Sequence, residues 1–207
     1  MSSYAVPGHG RPTSSGITEP WCTWPNLVTL VRTVVAVLLG VVAVGRTDVR
    51  VLALAYAVYW VGDVADGWLA RRLGQETRAG AVFDIVGDRA CTVLLCAGLV
   101  AARPGAWLVG VVFLVSFAVV DTMLSLSFLR WDVLGPNDFH LVDRTVWLVN
   151  WSPAAKALNT AGVVGLTVVG LYRPALLLAV AVLLVKVWSS VRVVRLLDRR
   201  ALHVISP

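Results

Sequence analysis

Six apolar segments leave this chain few ways to fold. They lie near residues 27–45, 51–73, 80–102, 105–128, 153–171 and 174–193. A helix needs about 20 predominantly apolar residues to cross the ~30 Å hydrocarbon core of a bilayer. Lipid offers no hydrogen bonds to backbone groups, so a segment that crosses it satisfies them internally, as a helix does. The chain has 207 residues, 58% hydrophobic and 14% charged. That balance excludes a water-soluble globular domain and a disordered chain alike. The reading is an all-α integral membrane protein with six transmembrane helices.

The remaining residues organise the ends and the orientation. Residues 1–20, rich in Ser, Gly, Pro and Thr, read as a disordered cytoplasmic tail, without the apolar core of a signal peptide. Residues 21–200 read as one membrane domain and 201–207 as a C-terminal tail. Trp21 and Trp24 suit an interfacial anchor ahead of the first span. With the amino terminus inside, the cytoplasmic side holds Arg11, Arg71, Arg72, Arg78, Arg130, Arg144, Arg192, Arg195, Arg199 and Arg200, and the other side only Arg46, Arg50, Arg103 and Arg173. This asymmetry puts both termini in the cytoplasm of a multi-pass plasma-membrane protein. The formal net charge of +6 then meets anionic head groups, not nucleic acid. Cys22, Cys91 and Cys96 are too few for a disulfide framework and read as packing thiols. The preference for Arg, Val, Ala and Gly suggests a GC-rich bacterial source.

Against this apolar background four carboxylates stand out. Asp63, Asp66, Asp84 and Asp88 fall inside the second and third spans. Each buried charge costs roughly 2.5–3.5 kcal/mol on insertion scales, so four cost on the order of 10 kcal/mol unless water, a cation or a basic partner faces them. At helical spacing Asp63, Asp66, Gly67 and Ala70 share one stripe, and Gly80, Asp84 and Asp88 share another. The short connection at 72–79 makes the two helices antiparallel neighbours, so the stripes can face each other across small residues. The result is an oxygen-rich cage. Mg2+ or Mn2+ suits it and zinc does not, because neither stripe offers His or Cys. Two such ions would suit four carboxylates and could grip a diphosphate. Carboxylates of this kind also fit an ion or proton path in a transporter, and small residues on helix faces also fit close helix packing.

The whole pattern reads D-x-x-D-G-x-x-A-R, eight residues, then G-x-x-x-D-x-x-x-D. It resembles the CDP-alcohol phosphotransferase family of membrane enzymes at every position: Asp63, Asp66, Gly67, Ala70, Arg71, Gly80, Asp84 and Asp88. Pro25-Asn26-Leu27-Val28-Thr29-Leu30-Val31-Arg32 is similar to the P-N-x-x-T-x-x-R start of the glycerophospholipid branch. The resemblance implies transfer of a phosphatidyl group from CDP-diacylglycerol to an alcohol, with release of CMP. It implies metal ligation by Asp63, Asp66 and Asp84, with Asp88 near the metals and acting as the base. It also implies nucleotide contacts at Gly67, Ala70, Arg71 and Gly80, a polar metal-binding cavity at the cytoplasmic side, and a homodimer.

The acceptor is less marked. Lys156, in Ser152-Pro153-Ala154-Ala155-Lys156-Ala157-Leu158-Asn159-Thr160, lies where phosphatidylglycerophosphate synthases and cardiolipin synthases of the family carry basic elements, and it matches neither pattern cleanly. Lys156, with Arg144 as helper, is the expected acceptor-binding cation, and glycerol 3-phosphate the leading acceptor. Phosphatidylglycerol is the alternative. A snorkelling helix-end lysine is the competing reading of Lys156. An intramembrane prenyltransferase would need N-D-x-x-D-x-x-x-D, but Gly62 and Ala70 stand at two of those positions.

Overall fold

The computed structural model describes residues 20–205. Residues 1–19 of the expected amino-terminal tail, and residues 206 and 207 of the expected carboxyl-terminal one, lie outside the described residues. Among the described residues all regular structure is helical.

Local sequence sets the first three helices. Helix α1 (Trp24–Arg46) begins where the Thr23 hydroxyl accepts from the Asn26 N–H, with Pro25 in the first turn. Helix α2 (Val49–Leu73) is capped by Asp48, whose carboxylate accepts from the Arg50 and Val51 N–H groups. It stops at Gly74, held at φ 62°, a conformation glycine adopts without steric cost. Helix α3 (Arg78–Ala102) follows after Thr77, which accepts from the Gly80 N–H. The α2–α3 turn is therefore short and the two helices are antiparallel, as the sequence predicts.

The second half is more broken. Helix α4 (Trp107–Leu114) widens into a π-helical segment, Val115–Asp121, before α5 (Thr122–Leu126). The polar stretch then carries α6 (Arg144–Asn150). Helix α7 (Pro153–Lys156), a second π-helical segment (Ala157–Gly162) and α8 (Val163–Val168) make one interrupted rod. The long α9 (Tyr172–Ile205) closes the chain.

Among the described residues four segments are long and apolar enough to cross a membrane: Trp24–Arg46, Arg78–Ala102, Pro104–Arg130 and Tyr172–Arg199, with mean hydropathies of 2.6, 1.7, 2.2 and 2.1. The other two expected segments differ for identifiable reasons. Helix α2 has 25 residues but carries Asp63, Asp66, Arg71 and Arg72 in its second half. The segment starting at Pro153 is broken by its π turn and ends at Val168, just before Gly170 at φ 83°. Large apolar side chains such as Leu38, Val41, Leu54, Val111, Leu177 and Leu184 face outward. So continuous an apolar exterior belongs in lipid.

Helix α1 is the wedge of the fold. It packs along both α2 and α3, more extensively than those two touch each other. Its buried residues, Pro25, Thr29, Arg32, Ala36, Gly40 and Ala43, recur every three or four positions and are mostly small, the composition that lets helices approach closely in membranes. One apolar core, with Val109, Phe113, Val163, Ala175 and Ala179, joins α4, α8 and α9. A second, with Ile85, Phe128, Phe139, Val146, Trp151 and Val193, clamps the polar stretch onto α3 and α9. Trp131 and Trp151 pack on Phe139 with ring centroids 5.2 and 5.0 Å away. These tryptophans thus make loop contacts. Asp143 caps α6 and accepts from Arg192 Nε at 2.7 Å. Burial pushes its carboxyl up, but the Arg192 hydrogen bond and the Val146 and Thr145 N–H groups hold it below the usual carboxylate range.

A buried ion cluster pins α3, α5 and α9 together. Asp121 accepts from Arg89 Nη2 at 2.6 Å and from the Lys186 ammonium, and Arg89 Nε donates to Thr122 at 2.9 Å. Lys186 is 2% exposed. Removing one partner of a buried pair leaves the other charge uncompensated, which costs about 3–5 kcal/mol. Asp121→Ala is therefore expected to lower the thermal unfolding temperature of the detergent-solubilised protein markedly. An unchanged transition would show that the two cations find other partners.

Candidate functional site

The site begins with two short periodicities on antiparallel helices. Asp63 and Asp66 are one turn apart on α2, and Asp84 and Asp88 one turn apart on α3. The fold brings all four together. Carboxylate oxygens of Asp63, Asp66 and Asp84 lie within 4.8 Å of one another. Asp66 is buried, whereas the side chains of Asp63 and Asp84 are 39% and 41% exposed and that of Asp88 20%. The cluster is closed on one side and open on the other.

At its centre stands a residue to which the sequence reading gave no role. Arg32, from α1, is 2% exposed at its side chain. Its Nε donates to Asp66 Oδ2 at 2.8 Å, and Nη1 and Nη2 both reach Asp88 Oδ1 at 3.1 Å. Nη2 also donates to Asp84 and lies 3.4 Å from Asp63. One guanidinium thus contacts all four carboxylates. Thr29, one turn earlier, donates to Asp66 Oδ2 at 2.7 Å. The signal was present in the sequence: Thr29 and Arg32 are three residues apart on the small-residue seam of α1.

Glycines make this approach possible. A Cβ on Gly62 would lie 2.5 Å from Arg32 Cβ and 2.7 Å from its Cδ. A Cβ on Gly80 would lie 2.9 Å from the Asn26 amide oxygen. Gly80 therefore serves close packing of α3 on α1. Gly67 differs, since its nearest neighbour would be the tip of Arg71 at 3.4 Å; that face of α2 is open. Ala70 and Arg71 continue the same stripe toward the exposed end of the helix. Arg72 instead lies over the Trp68 ring, with its guanidinium carbon 5.1 Å from the centroid.

The two expected acceptor residues lie elsewhere. Lys156, exposed on α7, donates to Asn137 Oδ1 at 2.8 Å. Arg144 is exposed in the first turn of α6. Both border the polar stretch, and neither contributes to the carboxylate cluster.

The donor set fits hard divalent cations. It is all carboxylate, crowded enough to be chelating, and already organised around positive charge by Arg32. Asp63, Asp66 and Asp84 are the residues with the geometry to hold such an ion.

A family model for CDP-alcohol phosphatidyltransferases matches residues 22–191. No solved structure matches the chain.

Arg32 gives the cluster a measurable signature. Arg32→Ala leaves the carboxylates without their resident cation, a loss of about 3–5 kcal/mol where nothing replaces it. The variant is expected to unfold at much lower temperature than wild type in chelator, and to recover much of the difference on adding Mg2+. An equal deficit with and without Mg2+ would show that no divalent cation substitutes for the guanidinium.

Proposed function

The chain belongs to the CDP-alcohol phosphatidyltransferase family, and on that premise we propose that it moves a phosphatidyl group from CDP-diacylglycerol to glycerol 3-phosphate at the cytoplasmic face of the plasma membrane. The family comprises transferases for phosphate-containing groups and is metal-dependent. The observation that carries the reading is the convergence of four aspartates from α2 and α3 on one cationic point.

In this reading Asp63, Asp66 and Asp84 hold two Mg2+ or Mn2+ ions, with Asp88 beside them. Bound ions would neutralise the donor's diphosphate and stabilise the charge that develops on the leaving phosphate. The acceptor hydroxyl oxygen attacks the phosphorus that carries diacylglycerol. A new P–O bond forms there, and the bond from that phosphorus to the bridging oxygen breaks. CMP departs with the bridging oxygen and its electron pair. Asp88 takes the hydroxyl proton. Gly67 and Ala70 let the nucleotide lie against the backbone of α2, Arg71 meets its phosphates, and Gly80 keeps α3 close. Lys156 and Arg144 bind the acceptor phosphate.

The membrane arrangement follows from the same residues. Helix α2 and the interrupted rod from Pro153 to Val168 join the four long apolar helices to make six crossings. In this reading Arg71, Arg72 and Arg78 keep the α2–α3 turn, and with it both termini, on the cytoplasmic side. A homodimer is part of this reading, as is the domain division at residues 21–200 between two tails. Phosphatidylglycerol, which would make the reaction that of a cardiolipin synthase, is the second reading of the acceptor. Lys156 favours the first, because a dianionic headgroup needs a cation outside the nucleotide site.

Two outcomes test the assignment. Asp63→Asn, Asp66→Asn and Asp84→Asn should each abolish CMP release and weaken Mg2+-dependent CDP binding. Asp88→Asn should slow turnover ~10²–10⁴-fold, the usual worth of a general base, while retaining more donor binding than the other three. Equal loss of donor binding in all four would make Asp88 a ligand rather than the base. Separately, Lys156→Ala should raise the glycerol 3-phosphate KM by about one to two orders of magnitude, the worth of a charge-assisted hydrogen bond to phosphate, and leave the donor KM unchanged. A silent Lys156→Ala in an enzyme that consumes phosphatidylglycerol would replace the first acceptor with the second.

A further inference from the structure

The antiparallel helices α2 and α3 pair their polar residues in rungs. Leu73 ends α2 and Arg78 begins α3, on either side of the turn that joins them. Counted from those ends, Asp66 and Asp84 lie seven and six residues in, Asp63 and Asp88 ten, and Tyr59 and Thr92 fourteen. At 1.5 Å per residue the three levels are about 10, 15 and 21 Å from the turn. Tyr59 stands one turn before Asp63, and Thr92 one turn beyond Asp88. Each acidic stripe thus continues into one further polar side chain.

The rungs differ in what acts across the gap. The Asp66–Asp84 and Asp63–Asp88 levels set carboxylate against carboxylate, and like charges push α2 and α3 apart. Arg32 bridges both of these levels from α1. The third level carries an attraction of its own, since the Tyr59 and Thr92 hydroxyls share a hydrogen bond. Thr92 is 8% exposed, so water competes little for that bond. The Tyr59 ring also faces Arg32, with the guanidinium carbon 5.5 Å from its centroid, within cation–π range. The turn therefore joins the two helices on one side of the acids, and the Tyr59–Thr92 bond joins them on the other.

The geometry points to Tyr59 and Thr92 as a positioning pair that sets the width of the carboxylate cage. This rests on the reading above, in which the aspartates hold metal ions for phosphatidyl transfer. An ion shared between Asp63 or Asp66 of α2 and Asp84 of α3 needs the helices at one spacing, because hard cations take oxygen ligands over a narrow range of distances. A cage fixed only at the turn can spread at its inner end, and the repulsion between its acids favours spreading. Asp63 and Asp88, the level next to the pair, would move furthest. The pair acts through the aspartates, by holding them at the spacing that an ion and the base require.

The test reads Mn2+ binding by electron paramagnetic resonance on the detergent-solubilised full chain, with no nucleotide present. Tyr59→Phe removes one hydroxyl and keeps the ring against Arg32. Thr92→Val removes the other and keeps the side-chain shape. Each should raise the Mn2+ dissociation constant about five- to tenfold, the worth of one neutral hydrogen bond. The double variant should bind no more weakly than either single one, because both substitutions remove the same bond. Thr92→Ser keeps a hydroxyl and should restore most of the affinity. In CMP release at saturating Mg2+, Tyr59→Phe and Thr92→Val should lower kcat several-fold and leave the KM for glycerol 3-phosphate unchanged. Wild-type Mn2+ affinity in either hydroxyl deletion, a Thr92→Ser variant as weak as Thr92→Val, or losses that multiply in the double variant would overturn the positioning role. So would wild-type protein that binds no Mn2+. The Mn2+ arm involves no donor. Protein that shows the expected Mn2+ losses but releases no CMP even as wild type would therefore support the pair and overturn the donor reading alone.

Discussion

Four carboxylates against one guanidinium is the constraint on which the rest of this structure depends. Four acids placed within apolar helices cannot stay together without positive charge, and Arg32 is the charge the chain itself supplies. For its guanidinium to reach both α2 and α3, α1 must lie in the cleft between them. That requirement explains why the contact face of α1 is built from Thr29, Ala36, Gly40 and Ala43 and why Gly62 stands opposite the Arg32 stem. The pairing is incomplete: four carboxylates and one arginine leave a formal excess of negative charge. Asp63 and Asp84 carry it on the exposed side, where further cations can reach it.

The same rule of charge pairing acts a second time, deeper in the bundle. Arg89 is adjacent in sequence to Asp88, yet it turns away from the four acids and pairs with Asp121, which Lys186 also holds. The two clusters are therefore separated by the rotation between consecutive residues of α3. The first ties α1 to α2 and α3, and the second ties α3 to α5 and α9. Asp121 closes the π-helical segment Val115–Asp121. The extra residue that such a segment admits alters the helix face presented to α9, and the Asp121 carboxylate there reaches two cations at once.

Much of this was legible in the sequence, and the gaps have physical reasons. The acidic stripes were readable because i, i+3 and i+4 spacing fixes which side chains share a helix face. The short α2–α3 turn was readable because Gly74 and Thr77 are strong stop and start signals. Arg32 stood in the sequence only as the last residue of the P-N-x-x-T-x-x-R match, without a role, because an arginine inside an apolar run does not reveal its partners. Those partners lie more than thirty residues away on two other helices. The Asp121–Lys186 pair was hidden for the same reason, with 65 residues between its members. The interrupted segments around Asp121 and Asn159 were not foreseen either. Their sequences are helix-compatible throughout, and periodicity alone does not distinguish a π turn from an α turn.

The two flanks of the carboxylate cluster differ in chemistry, and that difference suits a displacement at phosphorus. On the α1–α2 flank the surface is hydrocarbon, and Arg32 is the only charge that reaches it. On the α3 flank lies the polar stretch, fastened by Arg78 to the carbonyls of Trp131 and Val133 and by Asp143 to Arg192. Lys156 and Arg144 border that stretch. A lipid-linked donor and a water-soluble acceptor have opposite solvation needs, so they gain most by approaching from opposite flanks. The acceptor hydroxyl would then arrive from the side of α3, where Asp88 lies one turn beyond Asp84. On the proposed reading the bilayer would supply part of the substrate orientation, because one flank would be immersed in lipid and the other fastened to a polar loop.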